Sequence, residues 1–190
     1  MLSEQRVDGA VSAASAGVAS TRLLACLAAG RGRLWVIRPT GNFGDDLLFL
    51  GLETLLRRTG LAFEQVRHDQ LDGIALRPDD IAYIHGGGGW IPQWSGTPAR
   101  ILATLASRHR GRIVIGPSSF STDREYLRTA LLDSLHVAAG RVTVFCRERP
   151  SFEVLVPAVG QLAEVVLDHD TALNLTRDEV LAFGEPVGPN

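Results

Sequence analysis

The sequence has 190 residues, 45% of them hydrophobic, which is enough to bury the core of one domain and too short for a second full one. A formal net charge of -2 and a pI near 6.2 exclude a general attraction to polyanions, so nucleic acid is not expected as a partner. All 19 basic residues are arginine, which removes Schiff-base lysine chemistry and leaves cationic recognition to guanidinium groups.

Up to about Ser20 the chain is rich in Ala, Ser, Gly and Val without a firm period, and reads as a frayed helix or a tail, with a single domain expected over 21–190. Glu4 and Asp8 beside Arg6 do not make the basic start of a secretory signal, and no apolar run approaches the ~18 residues of a spanning helix. Cys26 and Cys146 fall in stretches that read as helix and buried strand, so no disulfide is indicated. Together these features point to a reducing, cytoplasmic setting.

From Leu34 onward, short apolar runs alternate with longer amphipathic stretches, the pattern of βαβ units around a parallel sheet. Strands are predicted over 34–37, 62–66, 81–84, 112–115, 142–146 and 163–167, mostly as continuous apolar runs, as when helices cover both faces. Between them, Leu48, Leu52 and Leu55 follow Asp46 at helical spacing. Thr97 before Pro98 reads as an N-cap with proline at the first helical position. Thr122 with Glu125 fits a capping box ahead of Leu127, Leu131 and Leu135.

In an open parallel sheet, ligands bind beyond the carboxyl ends of the strands, and the unusual residues of this chain lie there. After the first strand, Gly41 and Gly44 permit close backbone approach around Asn42, while Asp45 or Asp46 either caps the next helix or reaches the ligand. After the third come His85, Gly86, Gly87, Gly88, Gly89 and Trp90. Four successive glycines suit a ligand met by bare backbone amides, or else a tight packing contact. His85 is read equally as an acid/base and as a satisfied buried imidazole. The fourth strand leads to Ser118 and Ser119, which bond a phosphate or sugar or form a turn, the turn being preferred for Ser119. After the fifth, Arg147 is placed in the crevice for carboxylate or phosphate recognition, and Arg149 either joins it or pairs with an acid at the surface. Asp168, His169 and Asp170 do not assemble three ligands on an extended chain, so no metal is expected. Dinucleotide, P-loop and serine-hydrolase glycine motifs are lacking.

Taken in order, Gly41-Asn42-Phe43-Gly44-Asp45, His85-Gly86-Gly87-Gly88-Gly89, Ile115-Gly116-Pro117, Cys146-Arg147-Glu148-Arg149-Pro150-Ser151 and Asp170-Thr171-Ala172 resemble the polysaccharide pyruvyl transferase family. The resemblance spans Arg38 to Leu173 and implies the N-terminal Rossmann-like half of a GT-B-type enzyme, with the family's second domain absent before Asn190. It implies transfer of the pyruvyl group of phosphoenolpyruvate, a donor substrate and not a cofactor, onto a sugar hydroxyl of a surface polysaccharide or its lipid-linked precursor, with ketal formation. On that reading the site is Asp45, His85 and Arg147 for the chemistry. Gly41, Asn42, Gly44, Gly86, Gly87, Gly88, Gly89, Ser118 and Arg149 bind substrate. The protein is then cytoplasmic or peripheral to the inner face of the membrane, and either a homo-oligomer or reliant on a second domain. Two alternatives stand beside it, a glycosyltransferase half using a nucleotide sugar and a noncatalytic saccharide-binding or assembly module.

Overall fold

The computed structural model describes residues 20–39, 41–93 and 96–184. Its frame is a seven-stranded sheet of β1 (Leu34–Arg38), β2 (Glu64–Arg67), β3 (Ile81–Ile84), β4 (Gly87–Trp90), β5 (Arg112–Phe120), β6 (Val142–Cys146) and β7 (Glu164–Leu167). The order is β2-β1-β3-β5-β6-β7, β4 is joined to β5, and every pairing is parallel. Helices α1 (Thr21–Ala28), α2 (Phe43–Arg58), α3 (Thr97–Arg108), α4 (Arg124–Leu127), α5 (Asp133–Ala138), α6 (Arg149–Val159) and α7 (Arg177–Gly184) complete it. A π-helical turn over Arg128–Leu132 joins α4 to α5. The chain is therefore an α/β protein with a Rossmann-like sheet. No described helix is long and apolar enough to cross a membrane.

Both faces of the sheet are covered, which is why its central strands are apolar throughout. Alternate residues divide between two cores. Val36, Tyr83, Val114 and Phe145 pack with Leu23 and Leu27 of α1 and Leu52 and Leu56 of α2. Ile37, Ile84, Ile113 and Val144 face the other way, onto Leu102 and Leu105 of α3, Leu135 of α5 and Leu155 of α6. Of the tail read over residues 1–20, only Ser20 lies within the described residues. Its backbone N–H donates to Asn174 Oδ1 at 3.0 Å, which fixes the start of α1.

Several local expectations are corrected. The glycine run is not wholly a loop, because Gly87 to Trp90 form β4 beside the second half of β5, with Gly87 opposite Ser118 and Trp90 opposite Phe120. β5 correspondingly runs on to Phe120, so the predicted turn at Ser119 is strand. Pro117, which has no N–H for the ladder, sits where the β5–β6 register shifts. Asn42, not Asp45 or Asp46, is the N-cap of α2. For α3 the cap is Gly96 in the left-handed conformation, φ 65°, which leaves Thr97 as the first helical residue. For α4 it is Asp123, whose Oδ1 accepts from the N–H groups of Glu125 and Tyr126 at 2.9 and 3.2 Å, so Thr122 forms no capping box.

At the amino ends of the strands, Asp80 is 1% exposed and accepts four hydrogen bonds, from the N–H groups of Arg33 and Arg77 and from the side chains of Arg33 and Trp35. Burial alone would raise its pKa, but these donors outweigh it and hold the carboxyl at about 2. Because the folded pKa lies below the unfolded one, the stabilisation is present above roughly pH 4 and is lost as the pH falls toward 2. Its size is about 2 kcal/mol. Urea titrations are expected to show that Asp80→Ala lowers stability by roughly 3 kcal/mol and removes this acid limb. A second expectation concerns Gly51 on α2, where a Cβ would lie 2.1 Å from the Thr171 carbonyl oxygen. Gly51→Ala should lower stability by about 1–3 kcal/mol through overpacking. Gly73→Ala, with nothing within 4 Å, should stay within about 0.5 kcal/mol.

Candidate functional site

The chain leaves β1 to reach β2 on one side and returns to β3 on the other, so the carboxyl ends of β1 and β3 form the topological switch point of the sheet. A cleft of about 850 Å³ opens there. It is lined from the loops after β1, β3, β6 and β7 together with Ser119 of β5. A larger groove of about 960 Å³ runs along β6 and β7 past Arg22, Cys26, Arg112 and Glu164, away from the switch point.

The first wall is the start of α2. Asn42 Oδ1 accepts from the N–H groups of Gly44 and Asp45 at 2.8 and 3.3 Å, and Asp45 Oδ2 accepts from the Asn42 N–H at 2.9 Å. This reciprocal capping box holds the Asp45 carboxylate in the first turn, where the positive end of the helix dipole favours it. Its Oδ1 lies 2.9 Å from the place a Cβ on Gly87 would occupy, and its Cβ lies 2.6 Å from that of Gly41. Glycine at both positions therefore makes room for the carboxylate.

The second wall is the glycine run. Gly87 has φ 140°, which side-chain-bearing residues rarely adopt. Gly86 and Gly89 have a different reason. A Cβ on Gly86 would meet the Pro117 carbonyl oxygen at 2.2 Å, and one on Gly89 would meet Pro98 at 2.7 Å. The run is thus in part a close-packing device and in part a bare-backbone surface, and Gly86, Gly87, Gly88 and Gly89 all line the cleft. His85 is 1% exposed, with its ring edge-on to Phe49 at 4.1 Å between centroids. Burial, assisted by the Arg38 charge and opposed by a hydrogen bond to the Gly86 carbonyl, pushes its pKa down to about 3. Burial therefore favours the neutral imidazole.

Arg147 forms the third wall. Its Nη1 donates to Asp170 Oδ2 at 2.9 Å and its Nε to Ser119 Oγ at 2.8 Å, while Glu148 lies 3.4 Å away. The Ser119 hydroxyl in turn donates a hydrogen bond to Glu148 Oε2 at 2.9 Å, so the guanidinium is held on both sides. Arg147 also borders a smaller groove of about 410 Å³ with Arg22, Arg149 and His169.

Of the residues predicted for the site, Gly41, Asn42, Gly44, Asp45, His85, Gly86, Gly87, Gly88, Gly89 and Arg147 come together in the cleft. Ser118 and Arg149 do not. Ser118 is fully buried and donates to the Gly116 carbonyl at 2.7 Å, because β5 continues and turns Ser119 to the cleft in its place. Arg149 is the first residue of α6, largely exposed and 3.8 Å from Glu153 one turn on. Three contributors were missed as site residues, Ser119, Asp170 and Trp90. An acid three residues past the last strand was the available signal for Asp170, whose Oδ1 accepts from the Ala172 N–H at 3.0 Å. Leu47, Ile91, Pro98 and Leu173 supply an apolar rim. Among the described residues, no group of three His, Cys, Asp or Glu is placed to hold a metal ion.

No protein-family model matches the chain. No curated protein matches it either. Among solved structures it is similar to a functionally uncharacterized protein, KP1_0663, of Klebsiella pneumoniae subsp. pneumoniae, with a TM-score of 0.62 and 19% sequence identity. The match covers 84% of this chain and 56% of that one, so the chain spans little more than half the length of that protein. At this identity the likeness is one of fold, and it agrees with the Rossmann-like α/β sheet described above.

Proposed function

We propose that this chain is the acceptor-binding part of a polysaccharide pyruvyl transferase-like enzyme, which moves the pyruvyl group of phosphoenolpyruvate onto a sugar hydroxyl of a surface polysaccharide or its lipid-linked precursor. The observation that carries the reading is the convergence of separate sequence motifs on one cleft. The loops with Gly41 to Asp45, His85 to Gly89, Arg147 and Asp170 are far apart in the chain and share it.

In this reading Asp45 takes the proton of the attacking hydroxyl, a task that suits a carboxylate fixed by a capping box. The methylene carbon of phosphoenolpyruvate gains a proton equivalent to the one the first hydroxyl gives up, and that hydroxyl's oxygen bonds to the neighbouring enol carbon. The C–O bond to phosphate then breaks, a second hydroxyl closes the ketal, and its proton leaves with the phosphate. Arg147, already oriented by Asp170 and Ser119, offers its remaining donors to the carboxylate or phosphate of the donor. The charge of the cleft supports the assignment to the acceptor side. Among the described lining residues two carboxylates, Asp45 and Asp170, face one guanidinium, which is a poor seat for a multiply charged anion and a suitable one for a neutral sugar. The donor phosphate calls for further cationic groups beyond these.

Phosphate release from phosphoenolpyruvate in the presence of a mixed bacterial glycan tests the proposal. Glycan-dependent release is expected from the whole enzyme of which this chain is the acceptor-binding part. Arg147→Ala should reduce kcat/KM by about 10²–10³ and Asp45→Asn should reduce kcat by about 10²–10⁴, the latter with an unchanged unfolding midpoint. Asparagine at 45 still accepts from Asn42, so its effect is not one of folding. Full activity in both variants, or glycan binding that a nucleoside diphosphate displaces and phosphoenolpyruvate does not, overturns the reading, the second in favour of a nucleotide-sugar glycosyltransferase.

A further inference from the structure

Arg147 lines the cleft and also the smaller groove of about 410 Å³ beside it, so the two cavities meet at one guanidinium. Their charges differ. Among the described residues the cleft sets two carboxylates against that one cation, whereas the groove adds Arg22, Arg149 and the exposed His169 to it and holds two carboxylates, Glu148 and Asp168. The strand register brings these groups together. Cys146 stands opposite Leu167, so the carboxyl ends of β6 and β7 lie side by side, and Arg22 Nη1 donates to the Leu167 carbonyl at 3.3 Å.

Both acids of the groove are already engaged. Asp168 is 9% exposed, and its two oxygens accept from the N–H groups of Leu23 and His169, each at 2.8 Å. Glu148 accepts from Ser119 and Ser151 and lies 3.4 Å from Arg147. The cations are less fully engaged. Arg22 meets a neutral carbonyl, and Arg149 is 3.8 Å from Glu153 with both side chains largely exposed, a pair of little strength in water. Arg147 uses Nη1 and Nε on Asp170 and Ser119, which leaves its Nη2 as a donor. Helices α1 and α6 begin at the groove with Thr21 and Arg149, and neither has an acid in its first turn. The positive ends of both dipoles therefore add to the field of the arginines.

We infer that this groove seats the phosphate of a small phosphomonoester, held by Arg22, Arg147 and Arg149, and that the rest of the bound molecule reaches past Arg147 toward the cleft. A phosphate dianion offers three acceptor oxygens and a charge of about −2, which suits guanidiniums arriving from three elements, α1, the end of β6 and α6. A carboxylate has one charge and two coplanar oxygens, and pairs fully with a single arginine. The inference rests on the proposed function for the identity of the ester, phosphoenolpyruvate. It deepens that reading by supplying the cations that the cleft lacks, while the cleft keeps the neutral acceptor. Free phosphate, the product of the same reaction, fits the same seat.

The test is calorimetric titration of the 190-residue chain with phosphoenolpyruvate, inorganic phosphate and pyruvate, with amide shifts followed by proton–nitrogen NMR. Phosphoenolpyruvate and phosphate are expected to compete for one site and to move the amides of Thr21, Arg22 and His169. Pyruvate, which has the carboxylate and no phosphate, should bind about tenfold more weakly or worse. Arg22→Ala and Arg149→Ala should each weaken phosphoenolpyruvate binding roughly three- to tenfold, the range of one charged contact open to solvent. Arg110→Ala, which removes the same charge at the larger groove, should leave it unchanged. Binding that the Arg22 and Arg149 variants do not weaken overturns the inference, as do shifts confined to the glycines of the cleft. Pyruvate as tight as phosphoenolpyruvate, or no response to either phosphate compound, does the same. Bound phosphate that phosphoenolpyruvate cannot displace overturns the assignment to an ester and leaves a seat for the free anion. If a variant fails to fold, the shifts and the competition in the unaltered protein still decide. Phosphoenolpyruvate seated in the groove without glycan-dependent release from the whole enzyme would sink the transferase reading alone. Turnover that Arg22→Ala and Arg149→Ala leave unchanged would sink this inference alone.

Discussion

Every pairing in the sheet is parallel, and each crossover must therefore carry the chain back over one face before the next strand begins. As a consequence, loops separated by more than a hundred residues open at a single rim. Asp45, in the first turn of α2 after the first of these loops, and Asp170, on the last, line the same cleft. The continuous apolar strands make this possible, because a strand buried on both faces leaves only its ends for polar chemistry. Glycines at the rim then let backbone and carboxylate approach where side chains would collide, as between Gly87 and Asp45.

The stretch after β7, with its 3-10 turn over Thr171–Asn174, ties that rim to the rest of the molecule. Thr171 Oγ1 donates to the Leu48 carbonyl of α2 at 3.0 Å, and its own carbonyl lies against Gly51. Asn174 bonds Ser20 ahead of α1, and Asp168 Oδ2 accepts from the Leu23 N–H at 2.8 Å. Arg58 donates to the Asn174 carbonyl and to both oxygens of Glu179. Three elements from the two ends of the chain are thus fastened around Asp170, the residue that orients Arg147. Packing far from the cleft, such as the Gly51 contact, is for this reason coupled to the position of the guanidinium.

The alternation of apolar runs and amphipathic stretches was sufficient to read the α/β class and the rim as the place of chemistry, since both follow from hydrophobic period. It could not supply parity after a backbone irregularity. Ser118 and Ser119 are chemically equivalent in the sequence, and only the continuation of β5 past Pro117 decides which one faces the cleft. The same limit applies to the helix starts. Thr97 and Thr122 are good caps by residue type, but Gly96 and Asp123 have the backbone geometry that the incoming chain requires. Arg149 shows the complementary case. A basic residue two positions beyond Arg147 looks like a partner on an extended chain, and once α6 begins there it is carried to the surface instead. The glycine run was legible as unusual, but its division between close packing and ligand-facing backbone depends on Pro98 and Pro117, distant residues that no local pattern names.

The hydrogen bonds around Arg147 form a chain in which each hydroxyl has a defined direction. Ser119 accepts from Arg147 and donates to Glu148, Ser151 also bonds Glu148, and Ser151 Oγ accepts from the Phe120 N–H at 2.8 Å. β5, β6 and the first turn of α6 are joined by this chain, so the guanidinium is oriented before any ligand arrives. The same bonds limit what it can hold. Asp170 already offsets its charge, and an incoming anion gains only the donors left over. A group placed in this way is better suited to directing one anionic end of a ligand than to binding a free anion tightly. That division agrees with a cleft whose single lining cation, among the described residues, stands at the border with the neighbouring groove.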